Sequence, residues 1–251
     1  MQTPSPVIVS AKNSNLPEDT MRASRFSLFA AALLAVIFAA LPAEAGWGDI
    51  AKQAADEGSK AAGLSYTPSE AMAGVKEVLT LGSDYGVSTL TSGDGFSANA
   101  ATALSLPDSL SGLSGSSSLL SALNSAAMDA VPETGGIFNQ VIQGLSLADA
   151  SSMFGSGSTS ITDAFAASSR DTLKSMVKPV VEKSAAAAGV DTYLTPLNAA
   201  MQATGSTTTF DVTDYLSGKV VDGMLYYMGV KEESLRSTGG AGASALLQKL
   251  F

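Results

Sequence analysis

Apolar side chains recur every three or four residues along most of this 251-residue chain, and this spacing limits the possible folds more than any other feature. It is the period of α-helices that bury one face, whereas a half-buried strand requires strict alternation of apolar and polar residues. A weak strand candidate is confined to residues 207–212. We therefore predict an all-α fold, an irregular bundle of about eight to ten helices with little or no sheet.

The strongest helix start lies at Thr67. Thr67 can cap the helix, Pro68 suits its first turn, and Glu70 completes a T-x-x-E capping box. The apolar face that follows consists of Met72, Val75, Leu79, Gly86 and Leu90. Since Gly82 and Gly86 lie on or near this face, we expect a neighbouring helix to approach closely there.

Prolines divide the rest of the helical pattern. Because proline lacks an amide hydrogen, we expect Pro132 to stop one helix, Pro179 to kink or split another, and Pro196 to interrupt a third. The predicted helices cover about 46–63, 67–90, 119–131, 133–144, a short one from 146, 161–187, 191–203, 211–228 and a final one that ends at 251.

Residues 21–45 have the organisation of a secretory signal peptide. A basic segment at 21–25 precedes the nearly unbroken apolar run 26–41, and Ala43-Glu44-Ala45 follows as an A-x-A cleavage site. Sixteen helical residues span roughly 24 Å, less than the roughly 30 Å hydrocarbon core, which favours a signal peptide over a membrane anchor. We expect cleavage after Ala45 and a bacterial protein that is periplasmic or secreted.

This signal divides the chain into three parts. Residues 1–20 are expected to be a non-native or disordered extension, because such a signal usually begins at a methionine like Met21. Residues 46–251 are expected to form a single helical domain. After cleavage the protein is not expected to be an integral membrane protein.

Composition excludes several classes of function. The chain has no cysteine and no histidine, which excludes disulfides, thiolate zinc sites and histidine-dependent catalytic triads. Its net charge of −9 argues against a nucleic-acid partner, which requires a basic surface. No Walker A, dinucleotide-binding or nucleophile-elbow motif occurs. We therefore expect no cofactor and no enzymatic activity.

Basic residues are unevenly distributed. None occurs from 77 to 169, where eight acidic residues lie, and then Arg170, Lys174, Lys178 and Lys183 follow at intervals of four or five. This spacing places them on one helical face. We interpret the face as solvated and paired with the acidic half of the chain. The alternative is a site for an anionic group at Arg170, Lys174 and Lys178.

Two further patterns have a chemical and a simpler interpretation. Ser175 and Lys178 match the S-x-x-K of serine–lysine acyl enzymes, but the companion motifs are missing. Asp211, Asp214 and Asp222 could bind a divalent cation, but the first two begin a helix, where carboxylates cap amides. We expect no metal site, and a Ser–Lys hydrolase is a minor alternative.

Apolar residues near the C-terminal helices suggest a ligand pocket. Helices rich in glycine and methionine can leave a pocket between them, although an aromatic cluster such as 226–228 is more typical of a core. The candidate lining residues are Phe165, Tyr215, Met224 and Tyr226.

Short motifs in a fixed order resemble a family of exported bacterial proteins, domain of unknown function family 4197. The most telling are K-V-V-D-G-M-L at 219–225 and L-L-Q-K-L-F at 246–251. The other matching segments are 46–47, 73–79, 94–96, 106–110, 123–127, 179–181, 189–190, Tyr193 and 214–216. The resemblance implies a helical fold and an envelope location. It implies no established activity and no catalytic residues.

Together these features predict a non-enzymatic helical protein of the cell envelope that binds a hydrophobic ligand, such as a lipid, or an envelope protein. The prediction combines signs of export and of helices with a lack of catalytic motifs. A structural module that self-associates is the main alternative.

Overall fold

The computed structural model describes residues 66–146, 153, 157–203, 205 and 210–251. They belong to one compact unit, Ser65–Phe251. The predicted extension 1–20, signal peptide 21–45 and amphipathic helix 46–63 lie outside the described residues, as does half of the strand candidate 207–212.

Seven α-helices and one 3-10 turn occupy most of the described residues, which contain no strand. The helices are α1 (Pro68–Leu90), α2 (Asp108–Ser111), α3 (Ser116–Gln143), α4 (Ser160–Ala187), α5 (Val190–Ala203), α6 (Val212–Ser237) and α7 (Ala245–Leu250). The 3-10 turn, Gly95–Ala98, lies between α1 and α2. The all-α class is confirmed, with slightly fewer helices in the described part than the eight to ten expected.

Local capping fixes the starts of α1 and α6. Thr67 Oγ1 accepts a hydrogen bond from the Glu70 amide at 3.2 Å, and Glu70 Oε2 accepts one from the Thr67 amide at 2.7 Å. Asp211 Oδ1 accepts from the Asp214 amide at 2.9 Å. Each bond satisfies an amide that has no partner within the helix, as the sequence predicts.

The prolines do not divide the helices as expected. The prediction that Pro132 ends a helix is wrong, because α3 continues through it to Gln143. Its ring is exposed, whereas Val131 and Phe138 are fully buried. Burial on both sides offsets the cost of an interior proline, about 3 kcal/mol. Pro179 and Pro196 likewise lie inside α4 and α5, so α4 is not split and α5 is not interrupted, whereas the kink expected at Pro179 stays a prediction.

Helices α1 and α6 approach each other closely at two glycines. A β-carbon on Gly82 would lie 3.0 Å from Met228 Cα, and one on Gly86 would lie 3.3 Å from Met224 Sδ. The order of these pairs shows that the two helices are antiparallel. The predicted close approach at Gly82 and Gly86 is therefore confirmed.

The buried core joins four long helices. Helix α6 packs against α1, α4 and α3, and it continues nine residues beyond the predicted end at Met228. All five residues of the predicted apolar face of α1 are buried. Among the described residues, no helix is both long enough and apolar enough to cross a bilayer.

Candidate binding site

Helix α6 is buried against its neighbours on several sides, and one stripe along it is partly buried or exposed. The stripe consists of Tyr215, Lys219, Asp222, Tyr226 and Glu233, at helical intervals of three, four and seven residues. Tyr226 and Glu233 are exposed, and the other three are partly buried. We call these residues the outer stripe. Because α1 and α4 both pack against α6, their side chains can reach it.

Two lysines of α4 bind one carboxylate near the start of α6. Lys174 Nζ lies 2.8 Å from Asp214 Oδ2, and Lys178 Nζ lies 2.8 Å from Asp214 Oδ1. Hydrogen bonds from Lys174 and Lys178 stabilise the carboxylate and lower the pKa of Asp214 to about 2. The bond to Asp214 in turn raises the pKa of Lys178.

Asp222 binds the third basic residue of the predicted face. Its carboxylate forms an ion pair with Arg170. Partial burial nevertheless raises the pKa of Asp222, although the charges of Arg170 and Lys219 act in the opposite direction.

The basic face thus forms ion pairs, as expected. Most of its partners, however, are acids of α6 and not of the acidic half of the chain. Arg170, Lys174 and Lys178 bind acids of α6, whereas Lys183, 3.6 Å from Glu133, meets the acidic half of the chain. An anionic ligand at these residues would have to compete with Asp214 and Asp222.

The S-x-x-K pair has geometry that does not favour acyl transfer. The Ser175 hydroxyl donates to the Asp171 carbonyl oxygen at 2.9 Å. A lysine acts as a general base only when neutral, and the contact with Asp214 favours the charged form of Lys178. The structure gives this pair no support as a catalytic site.

Two candidate pocket residues hold the loop that connects α1 to α2. The Tyr215 hydroxyl donates to the Ser105 carbonyl oxygen at 2.5 Å and accepts from its amide at 2.8 Å. The Tyr226 hydroxyl accepts from Asn99 Nδ2 at 3.3 Å. In the same loop, Phe96 is fully buried against Gly223 of α6. A β-carbon on Gly223 would lie 2.5 Å from the Phe96 ring.

This loop contact joins two of the motifs that carry the family resemblance. Phe96 belongs to the D-G-F motif at 94–96, and Gly223 belongs to K-V-V-D-G-M-L at 219–225. Sequence reasoning identified both motifs but gave no sign that they meet. Phe96 requires a residue without a side chain opposite it, which explains the glycine at 223.

The other two candidate pocket residues lie in the core. Phe165 and Met224 are fully buried, and the Phe165 ring contacts Phe138 with centroids 6.2 Å apart. Tyr226, by contrast, is 39% exposed. The pocket that these residues were predicted to line stays a prediction.

Tyrosines cluster on the surface where α1 meets α6. Tyr85 and Tyr226 are each 39% exposed, and the buried Tyr227 lies between them, with ring centroids 6.1 and 5.1 Å away. Lys231 Nζ lies 5.9 Å from the Tyr85 ring centroid. We call Tyr85, Tyr226 and Tyr227 the tyrosine face. Of these, only Tyr226 could be named as a site residue from the sequence.

A buried carboxylate at the far end of α6 was missed entirely. Glu232 is fully buried and accepts from the amides of Ile161 at 3.0 Å and Thr162 at 2.7 Å, so it caps the start of α4. Arg236 Nε donates to Glu232 at 2.8 Å, and the Arg236 guanidinium lies 4.7 Å from the Phe251 ring centroid. The spacing of Glu232 and Arg236 by four residues was the available signal, but it cannot indicate burial.

No group of three or more carboxylates in the described part of the chain is arranged to hold a metal ion. Asp211 caps α6, Asp214 binds two lysines, and Asp222 binds Arg170. The three aspartates considered for a divalent cation therefore have other partners. No residue of the outer stripe suggests a cofactor.

Comparison with known proteins identifies one family. The model of a family described as protein of unknown function (DUF4197) matches residues 65–251. This range coincides with the compact unit that contains α1–α7. No curated protein and no solved structure matches the chain.

Proposed function

Because the chain belongs to the DUF4197 family of proteins of unknown function, we propose a function from its own surface: it is a non-enzymatic binding protein of the bacterial cell envelope. Its tyrosine face contacts a partner protein. The signal-like segment 21–45 supports the envelope location. Ser175 is bound to the Asp171 carbonyl oxygen and Lys178 to Asp214, and both contacts support a role other than catalysis.

The observation that carries this proposal is the exposure of two neighbouring tyrosines. Tyr85 and Tyr226 lie on different helices, and the exposed ring of each contacts the buried ring of Tyr227. Tyrosines are enriched at protein interfaces because a rigid ring supplies contact area and the hydroxyl a polar contact. Tyr193 is also 39% exposed, but no ring contact joins it to the tyrosine face.

A partner protein fits this geometry better than a small apolar ligand. Phe165 and Met224 are already covered by the core, and the Tyr215 hydroxyl is bound to Ser105. An apolar ligand would require those groups to separate. A partner needs only the surface that is already exposed.

Site-specific photocrosslinking tests the proposal. A photoreactive phenylalanine analogue is placed at position 85, 226 or 193 of the full chain, which is expressed in a bacterial envelope. We expect discrete protein adducts from positions 85 and 226 and none from 193, the control with equal exposure. The adduct from 226 should disappear in Tyr85→Ser and persist in Tyr193→Ser.

Two results would contradict the proposal. Equal adducts from all three positions would indicate nonspecific contact. Mass that organic extraction removes from the purified protein, without adducts from 85 or 226, would favour a hydrophobic ligand instead. N-terminal sequencing of the envelope form checks the location, because cleavage after Ala45 gives a chain that starts at Gly46.

A further inference from the structure

The C-terminal helix α7 lies against the first turns of α1. Its Leu247 side chain is fully buried, and Leu250 occupies the space over Gly74. A β-carbon on Gly74 would collide with Leu250 Cδ1 and would lie 3.6 Å from Leu247 Cδ2. The missing side chain at position 74 therefore forms the floor of a groove, and these two leucines fill it.

Two acids of α1 bind polar side chains of α7. Glu70 Oε1 lies 2.8 Å from Lys249 Nζ, and the Ser244 hydroxyl donates to Glu77 Oε2 at 2.7 Å. We call Glu70, Gly74 and Glu77 the α7 groove. It fits α7 in shape, in charge and in hydrogen bonding, so the natural occupant of this groove is the helix that the chain itself supplies.

A glycine turn connects α7 to α6. Gly239 and Gly240 have φ angles of +59° and +70°. The Gly239 amide donates to the Arg236 carbonyl oxygen at 3.1 Å, and the Gly240 amide donates to that of Leu235 at 2.8 Å. These two bonds form a Schellman motif, which ends α6 and reverses the chain. A β-carbon on Gly240 would lie 2.8 Å from the backbone of α7. The closed position of α7 therefore depends on two residues without side chains.

Opening of this turn would carry α7 away from its own groove. If residues 238–244 became helical, α6 and α7 would form one straight helix, whose last turn would lie roughly 20 Å beyond residue 237 at about 1.5 Å per residue. The contacts of α7 are then available only on the α1 of another molecule. Such an exchange keeps every contact of the groove and changes only the turn, which makes it a low-cost route to a dimer.

We propose that α7 is an exchangeable arm, which leaves its own groove at the glycine turn and occupies the α7 groove of a second copy of the chain. A short linker gives the closed arm an effective concentration on the order of millimolar, so the dimer of the wild type is a minor and reversible species. The net charge of −9 on each copy still permits the exchange at physiological salt, where charges more than about 8 Å apart are screened.

The exchange does not depend on the proposed function. Tyr85 of the tyrosine face lies about three helical turns beyond Gly74 on α1. The photocrosslinks expected at the tyrosine face and the exchange of α7 therefore succeed or fail separately.

Crosslinking between two differently tagged copies of the full chain tests the exchange. The chain has no cysteine, so Glu77→Cys in one copy and Ser244→Cys in the other supply the only thiols. Within one chain these positions are in hydrogen-bond contact, and a short bismaleimide joins them across two chains when α7 has exchanged. The control mixture is Glu133→Cys with Lys183→Cys, an ion pair 3.6 Å apart between α3 and α4, which both belong to the core.

We expect the mixture of Glu77→Cys and Ser244→Cys chains to give a crosslinked dimer that contains both tags. Its yield should rise with protein concentration, because the exchange joins two molecules. The control mixture, and each cysteine variant by itself, should give at least tenfold less dimer.

A change in the turn should shift the equilibrium toward the dimer. The β-carbons of Gly239→Ala/Gly240→Ala disfavour the positive φ angles and collide with α7 in the closed position. The association constant from sedimentation velocity should rise at least tenfold. Gly115→Ala is the control, because Gly115 also has a positive φ but lies at the start of α3. This substitution should leave the association constant unchanged.

Three results would overturn the proposal. Crosslinks no more abundant than in the control mixture would show that α7 stays on its own chain. A monomeric Gly239→Ala/Gly240→Ala variant with faster hydrogen exchange in α7 would show that the arm detaches without exchanging. A dimer that persists in Leu247→Ser/Leu250→Ser, which weakens binding in the groove, would show that the two copies associate through another surface.

Discussion

Two carboxylates of α6 connect it to α4, but in opposite environments. Glu232 is fully buried and binds two backbone amides and Arg236, whereas the Asp214 side chain is 44% exposed and binds Lys174 and Lys178. A buried charge must find its partners inside the protein, while an exposed charge can exchange them for water. The comparison shows that similar ion pairs can differ greatly in what they contribute to stability.

The contrast between buried and exposed side chains also separates the parts of α6 that stabilise the fold from those that are free to contact a partner. At the Glu232 end the charges are used to cap α4 and to contact Phe251. Along the outer stripe Tyr226 and Glu233 remain exposed to solvent. Binding at this surface therefore need not disturb the core contacts of α6.

The largest expected effect is the loss of the buried carboxylate. Glu232→Ala leaves the amides of Ile161 and Thr162 and the Arg236 guanidinium without their acceptor, and should destabilise the protein by about 3–5 kcal/mol. Urea unfolding followed by circular dichroism measures this change. The control Glu233→Ala, one residue away and exposed, should change stability by less than about 0.5 kcal/mol. Equal effects of the two substitutions would show that burial does not distinguish these sites.

Acidification should change the contributions of Asp214 and Asp222 to stability in opposite directions. The pKa of Asp214 is lowered from 3.8 to about 2, so its ionised form stabilises the fold above pH 3.8, and this contribution is lost as the pH falls to about 2. The pKa of Asp222 is raised above 3.8, so its ionised form opposes folding and protonation relieves that effect. Asp214→Asn should therefore flatten the loss of stability between pH 3.8 and about 2, whereas Asp222→Asn should steepen the change just above pH 3.8. Unfolding midpoints in urea across this range test both signs, and identical profiles for the two variants would contradict them.

The smallest effect is expected at one of the paired lysines. Lys174→Met leaves Lys178 bound to Asp214, so the change in the unfolding midpoint should be smaller than that of Glu232→Ala and should shrink further when salt is added. Thermal unfolding at low and high ionic strength provides the measurement. A loss as large as that of Glu232→Ala would mean that the exposed cluster is as important to the fold as the buried one.

Local patterns could be predicted from the sequence with success. The all-α class, the capping box at Thr67 and Glu70, and the cap at Asp211 all depend on residues three or four apart. The close approach at Gly82 and Gly86 could also be inferred, because glycine on an apolar helical face lets a neighbouring helix come near.

Patterns that depend on distant residues could not be predicted. Pro132 was expected to end a helix because proline opposes helical structure locally, but burial of Val131 and Phe138 sustains the helix. Of the candidate pocket residues, Phe165 and Met224 lie in the core and Tyr215 and Tyr226 hold a loop. No local pattern indicates whether such a residue will lie in the core or contact the loop.

The sequence by itself determined the all-α class, the starts of α1 and α6, the charge balance and the family resemblance, since these depend on neighbouring residues and composition. Only the tertiary structure decided that Glu232 caps a helix 70 residues away, that Asp214 binds two lysines, and that Tyr85 and Tyr226 both contact Tyr227. The physical reason is that capping within a helix involves residues already held close by the chain. Contacts between helices exist only after packing has brought distant residues together.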